Sequence, residues 1–141
     1  MASFTNAAAL VMLDKAVDDC DLGSTNPSAI LNIYSGTPPA NVDTALSGNA
    51  LLAELVMSNP AFGAASDNNP GAISIANAIT TDASANATGT ASFARVLDRN
   101  RVARLQLSVG TVGTEIILNT TSITVGDTVS ITALTALLPE S

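Results

Sequence analysis

Asp18, Asp19 and Asp21 form the densest run of oxygen ligands in the chain, and carboxylates this close together are the raw material of a hard-cation site. A calcium loop needs acids at alternate positions along twelve residues, a central glycine and a closing bidentate acid, and that pattern is absent here. Hydrated acids at a helix end account for the run, so no metal site is expected. Glu54, Glu115 and the scattered aspartates are the candidates for paired-carboxylate chemistry. Nothing in their spacing brings two of them to the separations at which glycosidases work. The chain has no histidine, which removes the commonest general base and rules out a Ser-His-Asp or Cys-His nucleophile. Cys20 is the single cysteine; it can form neither an intrachain disulfide nor a thiolate cluster, and reads as a small apolar group. Gly110-Thr111-Val112-Gly113 lacks the glycine spacing and the Lys-Ser/Thr ending of a phosphate loop and reads as a turn. The expectation is a protein without catalytic activity and without a cofactor.

The cations are grouped. Arg95, Arg99, Arg101 and Arg104 fall within ten residues, and Lys15 is the one lysine. They read first as a solvated hairpin with charged ends, the sharper alternative being a basic edge that meets an acidic neighbour head to tail. A net charge of −7 opposes sequence-independent attraction to nucleic acid. Phe4, Phe62, Phe93 and Tyr34 are too dispersed to stack on single strands. Charged residues make up 12% of the chain and hydrophobic ones 47%, against a usual charged fraction of about 25%. So little charge predicts an exterior that lies partly against other subunits. The alternative is an uncharged but solvated surface of Ala, Thr, Ser and Asn. The start of the chain lacks a signal-peptide pattern and no stretch is long enough to span a bilayer, so cytoplasmic synthesis followed by assembly is expected, without membrane contact. Asn86-Ala87-Thr88 and Asn119-Thr120-Thr121 match the glycosylation pattern, but without an export signal they read as coincidence.

The elements that must position these groups follow from periodicity. Leu10, Leu13, Val17 and Cys20 recur at helical spacing, with Asp14, Lys15, Asp18 and Asp21 towards another face, which predicts one amphipathic helix over Ser3 to Leu22. Ser3 or Thr5 caps its start and Gly23 stops it. Period-two alternation or apolar runs predict strands over Ala29 to Tyr34, Leu51 to Met57, Ala72 to Ala76, Ala91 to Leu97, Val102 to Val109, Glu115 to Leu118, Thr121 to Val125 and Thr128 to Leu137. Asp98-Arg99-Asn100-Arg101 is the turn of a hairpin, and Arg95 lies on an apolar strand face with its stem covering that face and its head in water. Phe62 anchors a loop of small residues, and Asn77 to Thr88 runs along an edge. Eight short strands at this spacing predict a mainly β chain, an antiparallel β-sandwich or jelly-roll-like domain with one N-terminal amphipathic α-helix. The expected division is 1–22 for the helix and 23–141 for the sandwich. Leu10, Leu13 and Val17 on the helix join the four arginines as the candidate interface.

Ile30 to Gly63, I-L-N-I-Y-S-G-T-P-P-A-N-V-D-T-A-L-S-G-N-A-L-L-A-E-L-V-M-S-N-P-A-F-G, links two strand-like runs through a distinctive loop. With Ala64-Ala65-Ser66-Asp67, Asn77-Ala78-Ile79-Thr80, Ala87-Thr88-Gly89-Thr90-Ala91 and Asn119-Thr120-Thr121-Ser122-Ile123, in that order, it resembles a family of small tailed-bacteriophage virion structural proteins. The resemblance covers nearly the whole chain and implies a particle component in the head decoration, neck or tail. A capsid decoration or cement protein is the leading expectation, acting as a symmetric homo-oligomer, a homotrimer by capsid symmetry, against the major capsid protein. A neck, collar or tail-fibre component is the alternative. A host-glycan-binding module using the loops Thr37 to Ser47 and Asn59 to Asn69 stands further off, with Tyr34 and Phe62 as the nearby aromatics.

Overall fold

The structure, a computed structural model, describes residues 4–68 and 71–138. It is mainly β, with one helix and a nine-stranded mixed sheet. Helix α1 runs Asn6–Asp18 and tightens into a 3-10 turn over Asp19–Asp21. Thr5 caps it, its Oγ1 accepting from the Ala8 N–H at 3.1 Å, so the orphan donors at the start are partly satisfied. Ser3, the other expected cap, lies outside the described residues. Beyond the turn, Gly23 takes φ +101, where a side chain is disfavoured.

The strands are β1 Ile30–Ser35, β2 Leu51–Val56, β3 Ser66–Asp67, β4 Ala72–Ile75, β5 Gly89–Leu97, β6 Ala103–Gly110, β7 Ile116–Leu118, β8 Ser122–Ile123 and β9 Ile131–Leu138. They lie in the order β2-β1-β5-β6-β7-β9-β4-β3, with β8 paired to the start of β5. All pairs are antiparallel except β6 with β7, where Val109 faces Ile116 and Gly110 faces Ile117 in parallel register. The expectation of a purely antiparallel arrangement is corrected here. A parallel neighbour normally needs a long crossover; this pair is two residues deep, and five residues suffice for the chain to double back. Gly110 makes the close return possible, since a Cβ there would meet Thr114 Cγ2 at 2.9 Å. The Thr114 hydroxyl and the carbonyl of Ile116 are 2.7 Å apart, which holds the loop shut.

The polar segment before β5 does follow an edge. Thr80 donates its N–H to the Val56 carbonyl and Asn86 to that of Leu52, while Asp82 accepts from the Glu54 N–H, so the outer side of β2 is occupied. The same segment exchanges backbone bonds between Asp82 and Val129, just before β9.

One aliphatic core runs through the molecule. Leu31 and Ile33 of β1, Leu55 of β2, Val96 of β5 and Leu134 of β9 share it with Ala9, Leu13, Val17 and Cys20 of the helix. The helix and the strands therefore build a common interior across the division expected at residue 22. Phe62 is buried and bridges to Ala76, the anchor its position predicted.

Candidate functional site

Arg95, Arg99 and Arg101 reach back to the chain's own backbone carbonyls, and Arg104 to the Asp98 carboxylate. At the β5–β6 turn, Asp98 is fully buried and accepts from the N–H groups of Asn100 (2.8 Å) and Val102 (3.0 Å) and from Arg104 Nε (2.8 Å). Burial pushes its carboxyl up, but those three donors outweigh it and hold the group below the ordinary carboxylate range. The turn then grips the segment leading out of the helix. Asn100 Oδ1 accepts from the Ser24 and Thr25 N–H groups, Arg99 Nε donates to the Asn26 carbonyl, and Arg101 Nη1 donates to that of Ser28. Arg101 holds a left-handed φ of +65 to do so. This is a clamp between helix exit and sheet, and three of the four cations expected to face a neighbour are spent on it.

The acids of the helix end serve similarly. Asp21 accepts from the Ala61 N–H and Asp14 from the Ala65 N–H, fixing the loop after β2 against the helix. Lys15 pairs with Asp19, offsetting an acid at the negative end of the helix dipole. Burial pushes the Asp21 carboxyl up, the Ala61 bond opposing it. Cys20, against the core, is pushed up to about 12 by burial, with Asp21 and Asp19 adding to it, so it stays a thiol. Among the described residues no group of three or more acids or cysteines is arranged to hold a metal ion. Glu54 is exposed on β2, while Glu115 bonds Ser108 at the end of β6.

The fourth arginine builds a different place. Across β1, β5 and β6, register sets Asn32 beside Arg95 and Arg95 beside Gln106, all on one face of the sheet. Arg95 is 6% exposed, so its head is buried, not in water as its position predicted. Its Nε donates to Gln106 Oε1 at 3.0 Å and its Nη2 to the carbonyls of Thr44 (2.6 Å) and Asn41 (3.2 Å). These last belong to the long β1–β2 connection, residues 36–50, which folds back over the sheet. Gln106 Nε2 donates to the Pro39 carbonyl, and Asn49 Nδ2 to those of Ser35 and Thr37. Tyr34 and Phe93 stack beneath the loop, ring centroids 5.3 Å apart. Asn32 donates to the Tyr34 hydroxyl, and its own carbonyl Oδ1 is buried without a partner.

The helical part of the expected interface divides. Leu13 and Val17 are 4% and 2% exposed and belong to the core, which removes them from any contact with a neighbour; Leu10 packs at the core's margin. Apolar residues facing outward include Val11 and Met12 (41%) on the helix and Leu137 (47%) on β9, with Ile75, Val112 and Val125 exposed elsewhere. Met12 and Leu137 flank a groove of about 290 Å³ between α1, β6 and β9, floored by Leu105 and Leu107. Sequence reasoning took the one stripe at three- and four-residue spacing as the face that matters. Met12, apolar and outside that stripe, was the signal for the groove.

No family model matches this chain, and none of the curated proteins or solved structures compared with it does.

Proposed function

We propose that this chain is a non-enzymatic structural protein of a tailed-bacteriophage particle, a capsid decoration or cement protein working as a symmetric oligomer, with its strands layered as a β-sandwich of jelly-roll type. The observation that carries the reading is the outward apolar pair Met12 and Leu137 on the α1–β6–β9 groove, on a chain with only 12% charged residues. A patch of this kind on a charge-poor exterior is what a contact between subunits uses. The polar groups support it as well: arginines and aspartates are spent on fixing loops, which yields a stiff body that loses little entropy on docking. In this reading copies associate as a homotrimer through the patch and seat on the major capsid protein, and the regular lattice multiplies a modest affinity per copy. The protein is made in the host cytoplasm and carried in the virion. A neck, collar or tail-fibre position uses the same surfaces at lower copy number.

Two measurements test it. Light scattering on the purified chain is expected to give a trimer that Met12→Glu converts to a folded monomer; a monomeric wild-type chain sinks the oligomer. Quantifying the protein against the major shell protein in purified particles is expected to give comparable amounts. A few copies per particle move it to the neck or tail, and its absence from particles ends the virion reading.

A further inference from the structure

We propose that loop 36–50 is a strap that lifts as one unit while the sheet beneath it stays folded, uncovering Tyr34, Phe93 and Arg95. The proposal is independent of where on a particle the protein sits. It stands on a mismatch between the strap and what it covers. Asn32, Tyr34, Phe93 and Arg95 are each at most 9% exposed, yet none of residues 36–50 is itself buried; Pro39, Val42 and Asn49 are half-buried and the rest are exposed. The strap closes this face with its backbone and brings little apolar area of its own, so the hydrophobic effect does little to keep it down.

Directed bonds from the sheet hold it instead. Arg95 Nη2 donates to the Asn41 and Thr44 carbonyls, Gln106 Nε2 to that of Pro39 and Ser92 Oγ to that of Gly36. Each of these bonds exchanges for one to water when the strap lifts, which leaves it a small net worth. Two groups gain from the lifting. Arg95 is a buried cation that meets only neutral acceptors; among the described residues the ion pairs are Lys15–Asp19 and Arg104–Asp98, so it recovers hydration rather than losing a counter-charge. Asn32 Oδ1, buried without a partner, meets water as a donor. Gly36 and Gly48, at φ +85 and +71, mark hinges near the two ends, and the bond from the Ser35 N–H to the Ala50 carbonyl lies outside both and keeps the ends together. A segment held in this way lies at the low end of local opening free energies, far below the aliphatic core. The equilibrium sets how much of the time a stacked aromatic pair and a guanidinium face the solvent.

Tyr34 is the chain's one tyrosine, so nitration by tetranitromethane reads the covered face alone. Because the reagent also oxidises thiols, the full chain carries Cys20→Val. Nitration is followed across urea concentrations below the unfolding transition, beside amide exchange at Leu31 and Val96. Tyr34 is expected to react about a hundred- to a thousandfold more slowly than a free tyrosine amide, at a rate nearly independent of urea, while exchange at Leu31 and Val96 accelerates steeply. Gln106→Ala, which removes the Pro39 tie and the Arg95 Nε acceptor, is expected to speed nitration at least about tenfold with the shallow slope kept. The slope with Gln106 in place decides the matter even where that variant folds poorly. Nitration with the urea dependence of global unfolding, or as fast as in the free amide, overturns the strap, and a rate unmoved by Gln106→Ala overturns the bonds as its fastening.

Discussion

The central strands β1 and β5 are covered by opposite means on their two faces. Leu31, Ile33, Ala94 and Val96 look into an interior shared with α1 and β9, where contact is aliphatic and non-directional. Asn32, Tyr34, Phe93 and Arg95 look into loop 36–50, where directed bonds from Arg95 and Gln106 to loop carbonyls hold the cover in place. The first cover needs volume and the second needs partners. The aliphatic side therefore governs whether the domain folds, and the polar side governs whether one loop is ordered.

The sharpest way to break that contrast is Leu31→Ala, which should cost about 2–5 kcal/mol in urea unfolding, while Leu31→Met costs less than about 1.5. Next comes the clamp at the β5–β6 turn. Asp98→Ala leaves Arg104 and two N–H groups without their acceptor and should cost about 3 kcal/mol. Because the folded carboxyl lies below its unfolded value, its stabilisation is present above the unfolded value near 3.8 and lost as pH falls through the folded one, so the variant should flatten the acid limb of stability. Arg95→Met should cost about 2 kcal/mol and, in hydrogen exchange, release protection across residues 36–50 while Leu31 and Val96 stay protected. Loss of protection in the aliphatic strands as well would erase the distinction between the faces.

At alkaline pH the aliphatic side shows its own titration. Cys20 rises from 9.0 to about 12 on folding, so stability is full below the unfolded value and falls as pH climbs towards the folded one. The loss is roughly 1.4 kcal/mol by pH 10, and Cys20→Val should remove it in a pH series of unfolding curves. The smallest effect is at the helix start, where Thr5→Ala should cost about 1 kcal/mol.

Those same two faces explain what was legible beforehand. Strand alternation in Ala29 to Tyr34 and the Asp98–Arg101 turn are local signals; the strand forms one residue later, over Ile30–Ser35, and the turn appears where the residues place it. The helix start was local too, through Thr5, whereas its end came early: the α-helix tightens at Asp19 and Leu22 is already extended, short of the expected stop at Gly23. What escaped was every partnership across a long loop. Arg95 reads as a stem with a wet head because nothing near it in sequence says that Asn41 and Thr44 return to cover it. Leu13 and Val17 read as an outer face because periodicity finds a stripe without saying which side it meets. The parallel β6–β7 pair and the two-residue β3 are too short to leave a pattern.

The ribbon of residues 79–86 has a consequence for how this chain behaves in a crowded solution. An open flank of β2 would offer bare amides and carbonyls to any extended segment from another molecule, and fibrils grow by that route. Few charges are present to repel such an approach. Thr80, Asp82 and Asn86 occupy the template themselves, so copies of the protein cannot zip together through the backbone along this flank of β2.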